Sequence, residues 1–320
     1  MVCDEEHLFE IDQSDCCGNG CTNCILDNKP KPSVRALLAG KRNVILNYCK
    51  FKLLYKQTHS DSDKNSQVLH LHFAYEAGAD EDDGILDIPP GHHVMLRATV
   101  EAHAPPLLRP YSPYWVDFER KQFKILVKLQ PDGPMSAYIA GLQPQALLEF
   151  RGPIGNYAHN ASSPKCIFII AQGVAIAPTL PLITQVLDNE DDMSRIHHMV
   201  CARDLSHLYF RERLLEFAKY WNYRGCAYLA HQKCASAVCK ENGGCNEECS
   251  AFRASLRYKE TVRTRRLGAN ELETYCQLAG SSSSNGERVL IIAGHANFQE
   301  QMRAEAMKAL GVLETNVYLL

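Results

Sequence analysis

Hydrophobic positions along this chain follow two rhythms. Between residues 43 and 151 the apolar runs are short and break at Gly and Pro, which predicts β-structure. Phe123, Ile125, Val127 and Leu129 alternate with Lys124, Leu126 and Lys128, so one face of that strand is apolar. Residues 92–100 predict a strand ahead of Pro105-Pro106, and 147–151 predict another, stopped by Gly152-Pro153. Residues 135–142 predict a short helix. Several short strands with turn signals between them predict an antiparallel barrel. After Pro164 strand-like and helical runs alternate. Strands are expected at 167–171, 196–202, 226–230, 289–293 and 317–320. Helices are expected at 178–187, at 210–221 with Leu214, Leu215, Ala218 and Trp221 on one stripe, and at 297–310 with Asn297 as cap and Glu300 at the capping-box position. That alternation predicts a parallel sheet covered by helices, an α/β Rossmann-like domain.

The punctuation divides the chain. Residues 1–40 are polar and cysteine-rich and run into the linker-like Lys29-Pro30-Lys31-Pro32-Ser33. The barrel is expected over 41–158 and the α/β domain over 159–320, with a cysteine-rich insertion at 231–250 and a polar loop at 281–286. With 320 residues there is enough chain for two cores. Net charge is −3, which gives no basic field for nucleic acid or anionic lipid. The longest apolar runs fall far short of the roughly 20 residues of a membrane span. The acidic start lacks the apolar core of a signal peptide, and Val2 stands where N-myristoylation needs glycine. A cytoplasmic monomer is the expectation.

Chemistry concentrates first at Arg109-Pro110-Tyr111-Ser112. On an extended segment Arg109 and Tyr111 share a face, so one short run offers a cation, a flat aromatic and hydroxyl donors. A ligand carrying both pyrophosphate and a planar ring system needs that set. Downstream, Leu126-Val127-Lys128 is followed by Gly133-Pro134-Met135-Ser136, where a helix opens with unpaired N–H groups and a dipole that favours phosphate. Then comes Glu149-Phe150-Arg151-Gly152-Pro153-Ile154-Gly155, and upstream lies Ile88-Pro89-Pro90-Gly91-His92-His93-Val94.

In this order and spacing, over residues 43–320, these segments resemble the NADH–cytochrome b5 reductases of the ferredoxin-reductase superfamily. The resemblance implies an antiparallel barrel holding FAD, followed by an α/β domain holding NADH. Hydride would pass from NADH to FAD, and single electrons would leave to cytochrome b5 or a similar acceptor. It implies that Arg109 and Ser136 contact the pyrophosphate and that Tyr111 and Ser112 pack near the flavin and ribityl chain. Pro110, Leu126, Lys128, Gly133 and Met135 would line the same site.

The second half departs from the family pattern. Where the family has Gly-Gly-Thr-Gly-Ile-Thr-Pro, this chain has Gln172-Gly173-Val174-Ala175-Ile176-Ala177-Pro178. Gly173 and Pro178 remain, but Val174 and Ala177 cannot replace threonine hydroxyls. Where the family has Cys-Gly-Pro-Pro-x-Met, it has Ala293-Gly294-His295-Ala296-Asn297-Phe298, keeping Gly294 and placing Ala293 at the cysteine position. The family often ends in an aromatic residue, and this sequence ends Tyr318-Leu319-Leu320. No catalytic side chain is identifiable. The alternative function is therefore an FAD-binding, reductase-like protein with little NADH turnover, acting as an interaction or metal-binding module.

Two cysteine clusters remain. Cys16, Cys17, Cys21 and Cys24 lie within nine residues, a spacing that can gather on Zn²⁺, and the segment resembles a small oxidoreductase-like module. A reduced tail and an Fe–S or dithiol site are the other readings. Cys234, Cys239, Cys245 and Cys249 fall in the insertion with looser spacing, which favours a surface loop over a metal site.

Overall fold

The computed structural model describes residues 11–20, 23–30, 40–59, 67–78, 84–100, 105–233, 239, 245–279 and 287–320. Cys21, Lys31-Pro32-Ser33, Cys234 and the 281–286 loop lie outside the described residues. The chain forms two compact units, Met1–Ala158 and His159–Leu320.

The first unit is built from β1 (Cys49–Thr58), β2 (Val68–Tyr75), β3 (His93–Ala98), β4 (Leu107–Tyr111), β5 (Pro113–Asp117), β6 (Gln122–Lys128), helix α1 (Pro134–Gly141) and β7 (Leu147–Ile154). Its antiparallel strands run β4-β3-β7-β1-β2-β6-β5. The two outermost strands of that order, β4 and β5, are consecutive in the chain with Ser112 alone between them. The sheet must therefore curl on itself, and Ser112 marks the closing corner of a barrel. Inside, β1, β2, β6 and β7 each contribute one fully buried phenylalanine: Phe51, Phe73, Phe123 and Phe150. Their rings meet mostly edge to face with centroids 4.9–5.7 Å apart. Truncating any one to Ala should cost about 3–5 kcal/mol.

The end of β7 differs from the sequence expectation. β7 does not stop at Gly152-Pro153 but continues to Ile154. Its pairing with β3 shifts register between Met95↔Arg151 and His93↔Ile154, and such an irregularity accommodates a proline that cannot donate. The Gly152 N–H bonds instead to the Ile45 carbonyl at 2.8 Å.

The outer face of the same strands is covered by the cysteine-rich segment. Ile25, fully buried, packs with Met95, Leu108 and Ile154, and Ile11, Cys17, Cys24 and Tyr48 close around them. Asp15 forms an ion pair with Arg151 at 3.2 Å, with the two side chains only 16% and 6% exposed. Arg151 also donates to the Leu46 carbonyl.

The second unit comprises β8 (Lys165–Gln172), α2 (Thr179–Leu187), β9 (Arg195–Ala202), α3 (Arg211–Phe217), β10 (Tyr223–Leu229), α4 (Ser250–Ser255), β11 (Val262–Arg263), α5 (Ala269–Ala279), β12 (Glu287–Ala293), α6 (Ala296–Leu310) and β13 (Val317–Leu319). The order β11-β10-β9-β8-β12-β13 is parallel throughout. Near-continuous apolar runs such as Ile167-Phe168-Ile169-Ile170-Ala171 suit strands covered on both faces.

Two helices depart from expectation. α3 ends at Phe217, not near 221, and Phe217 carries its burial while Trp221 is 69% exposed. The chain turns after Ala218 to feed β10, so the Leu214–Leu215–Ala218 stripe lines a surface groove instead of a core. α6 starts one residue earlier than expected, and its cap is the His295 ring, which accepts from the Phe298 N–H at 3.2 Å. Asn297 lies inside the first turn, so the Asn297–Glu300 capping box does not form.

Candidate flavin and nucleotide sites

In the first unit, hydrogen bonding between β3 and β4 sets Leu96 opposite Arg109, Met95 opposite Pro110 and Val94 opposite Tyr111. Tyr111 packs on the barrel core, and Arg109 shares its face by strand alternation. Leu108 points the other way, against Ile25. The cysteine-rich segment therefore backs the strand whose opposite face presents Arg109 and Tyr111.

Arg109 is half-buried and donates to the Leu108 carbonyl at 2.7 Å. Among the described residues no carboxylate pairs with it. A half-buried guanidinium without a counter-charge fits an anionic ligand. Burial pushes the Tyr111 phenol up, against the opposing pull of Arg109, so it stays neutral and can donate.

Helix α1 meets β4, and Met135 of its first turn lies in the core cluster against which Tyr111 packs. Gly133 is the N-cap and Pro134 takes the first helical position, where its missing N–H costs nothing. The next N–H groups, of Met135 and Ser136, have no partner within the helix and face its N-terminal end. The Ser136 hydroxyl accepts from the Gln130 N–H at 2.9 Å, which fixes its oxygen and leaves its proton to donate. A Cβ on Gly133 would stand 3.1 Å from that oxygen and 3.3 Å from Gln130 Cβ, so glycine keeps the turn clear. Met135 is buried beneath the turn, Leu126 is buried on β6, and Lys128 is exposed at the end of that strand. Ser112 is half-buried at the barrel corner. Arginine, phenol, hydroxyls and helix N–H groups thus fit a pyrophosphate with an attached ring system.

Two residues near this strand carry further constraints. Gly155 admits the His92 ring, since a Cβ there would lie 2.9 Å from it. His93 is buried, its Nε2 has no partner among the described residues, and desolvation pushes its pKa down to about 4. Both lie within segments visible in the sequence, but only their packing reveals the constraint.

In the second unit, strand order runs outward from β8 in two directions, through β9 on one side and β12 on the other. In open sheets of this kind, ligands bind outside the carboxyl ends of the strands, where the order reverses. Ala171 pairs with Ala293 at this reversal, so Gly173 and Gly294 follow at adjacent strand ends. Gly173 begins a tight 3-10 turn (residues 173–176) at φ +56°, and Pro178 caps α2. A Cβ on Gly294 would stand 2.5 Å from the Phe298 ring and 3.4 Å from Gln172 Cβ. Gln299, which the sequence did not single out, is buried and donates to the Gly294 carbonyl at 3.0 Å and to the Leu320 carbonyl. It fastens the last residue of β13's extension beside Gly294; a lone glutamine on a helix gives no sequence signal of this.

Of the N-terminal cysteines, Cys16, Cys17 and Cys24 are described and Cys21 is not. Cys16 and Cys24 approach to 3.6 Å, burial raises the Cys24 thiol, and Cys17 and Cys24 both pack with the Ile25 cluster. The group of three metal-ligating side chains that forms among the described residues is Cys239, Cys245 and Cys249.

These geometries define a two-domain fold, an antiparallel barrel followed by a parallel α/β domain. Residues 63–159 match the oxidoreductase FAD-binding domain family. The cytochrome b5 reductase domain of Ulva prolifera nitrate reductase superposes with a TM-score of 0.62 at 16% identity, covering 88% of this chain and 100% of that one. A mouse protein named NADH-cytochrome b5 reductase-like is 22% identical over 96% of this chain and 92% of its own length. NADH-cytochrome b5 reductase 1 of Candida albicans is 30% identical over 48% of this chain, which spans about half of that relative (51%). Over most of its length the chain is thus similar to a protein named NADH-cytochrome b5 reductase-like, and its barrel region matches an oxidoreductase FAD-binding domain.

Proposed function

We propose that this protein is an FAD-dependent reductase that takes hydride from NADH and passes single electrons to a haem protein of the cytochrome b5 kind. The observation that carries this reading is that β4, which presents Arg109 and Tyr111 and whose Arg109 has no carboxylate partner among the described residues, is met by α1, whose first turn carries Ser136. Bound FAD supplies the two-electron to one-electron conversion that joins a nicotinamide donor to a haem acceptor. Arg109 and the Met135 and Ser136 N–H groups hold the pyrophosphate, and the Ser136 proton adds a further donor. Tyr111 and Ser112 orient the flavin end. Gly173, Pro178 and Gly294 shape the nicotinamide nucleotide crevice. The helices of the described residues are not long and apolar enough to cross a membrane, and we place the activity in the cytoplasm, in a monomer.

Val174 and the buried Ala177 supply no hydroxyl to the 173–176 turn, and this favours the second reading, FAD binding with slow NADH turnover. The test is ferricyanide and cytochrome b5 reduction by the purified flavoprotein, with NADH and with NADPH. Haem reduction with NADH supports the proposal; flavin-replete protein that reduces neither acceptor supports the second reading.

A further inference from the structure

We infer that Cys239, Cys245 and Cys249 form a binding site for a soft divalent metal, Zn²⁺ in chemical class, that pins the insertion between β10 and α4. The three sulfur atoms all lie within 4.8 Å of one another. Thiolates on tetrahedral zinc, with Zn–S about 2.3 Å, sit roughly 3.8 Å apart, so small side-chain adjustments suffice. A disulfide would use two of these sulfurs and strand the third against them. Cys245 is buried, and Cys239 and Cys249 are half-buried, which suits thiolates shielded around an ion.

The backbone that carries the thiols is held from several directions. The Cys245 N–H donates to the Gln232 carbonyl at 2.9 Å, and the Gln232 side chain accepts from the Leu205 N–H at 2.8 Å. Asn246 Oδ1 accepts from the Glu248 and Cys249 N–H groups, fixing the turn that separates Cys245 from Cys249. The Glu247 carboxylate accepts from Arg263 Nη1 at 2.9 Å and from the Thr264 N–H at 3.2 Å, while the Glu247 carbonyl accepts from Arg253. The turn is thereby tied to β11 and α4. Outer contacts of this kind orient ligands before the metal arrives. Three thiolates leave one tetrahedral position for water or another donor. Metal binding closes this loop and releases the thiol protons, with no change of oxidation state.

The experiment is elemental analysis of the full-length, flavin-loaded protein purified without chelator, followed by cobalt replacement and absorbance spectroscopy. The expected result is about one zinc per chain and, with cobalt, intense thiolate charge-transfer bands. Cys249→Ser and Cys239→Ser should each cut metal content at least roughly five-fold and weaken those bands, with flavin content unchanged. Cys16→Ser/Cys24→Ser should keep both. Because Cys245 is buried, its replacement is not needed. Chelation of the unaltered protein supplies an independent readout, faster proteolytic cleavage between residues 232 and 249. Wild-type protein that binds neither zinc nor cobalt overturns the inference. So does metal that persists in both insertion variants, metal lost with Cys16 and Cys24, or a disulfide among the three cysteines by non-reducing mass spectrometry.

Discussion

Arg109→Ala removes the cation on the barrel strand without removing any internal ion pair. Arg109 is half-buried and donates to its neighbour's carbonyl, and no carboxylate among the described residues loses a partner. The strand retains its ladder to β3, which uses backbone atoms alone. The fold should therefore survive, and the loss should fall on ligand affinity. A hydrogen bond to a charged group contributes about 1.5–3 kcal/mol. At 1.4 kcal/mol per decade, FAD should bind roughly 10- to 150-fold more weakly. Removal of a bidentate contact would lie toward the upper end, since a guanidinium fork can meet two phosphate oxygens. The assay is quenching of flavin fluorescence on titration into apoprotein, with circular dichroism to verify the fold. Arg109→Lys keeps the charge but loses the fork, so it should fall between wild type and Ala. Unchanged FAD affinity in a folded Arg109→Ala protein would refute the assignment of Arg109 to the pyrophosphate.

Other sites give separable outcomes. Ile25→Ala opens a cavity behind Leu108 and should cost about 2–4 kcal/mol, seen as a lower unfolding midpoint and weaker FAD retention; loss of stability with full FAD retention would show that the segment does not support β4. Gly294→Ala drives a methyl group to 2.5 Å from the Phe298 ring, and the forced shift, about 1–3 kcal/mol, should raise the KM for NADH while FAD content holds. Equal losses of both would point to general misfolding. His93 and His197 are buried and each has a ring nitrogen without a partner among the described residues, and desolvation takes both pKa values down to about 4. The unfolded chain binds more protons as pH falls below 6.5, so stability should be full above that value and fall toward pH 4 by about 3 kcal/mol for each ring. Urea midpoints that stay level from pH 7 to 4.5 would contradict this.

Much of the fold was legible because it follows from periodicity. The Phe123–Val127 alternation and the apolar run at 167–171 need no tertiary information to be recognised as strands. The segments proposed to hold the flavin were legible as elements because their residues are close in sequence and their strand and helix are ordinary ones. What escaped depends on contacts distant in the chain. The extension of β7 through Gly152-Pro153 requires the shifted pairing with β3. The loss of helix beyond Phe217 follows from the turn into β10, although Trp221 keeps helical spacing. His295 is a less usual cap than Asn297, so local preference pointed to the wrong residue. Spacing also ranked the cysteine clusters, yet thiol convergence depends on how Gln232, Asn246 and Glu247 hold the backbone.

The most direct test of the central claim is the absorbance spectrum of the purified protein before and after anaerobic addition of one equivalent of NADH. The account predicts a bound flavin spectrum that NADH bleaches within the turnover time measured with cytochrome b5. A colourless protein that takes up no FAD would contradict the site built around Arg109, and a flavin that stays oxidised under NADH would contradict the reductase activity proposed from it.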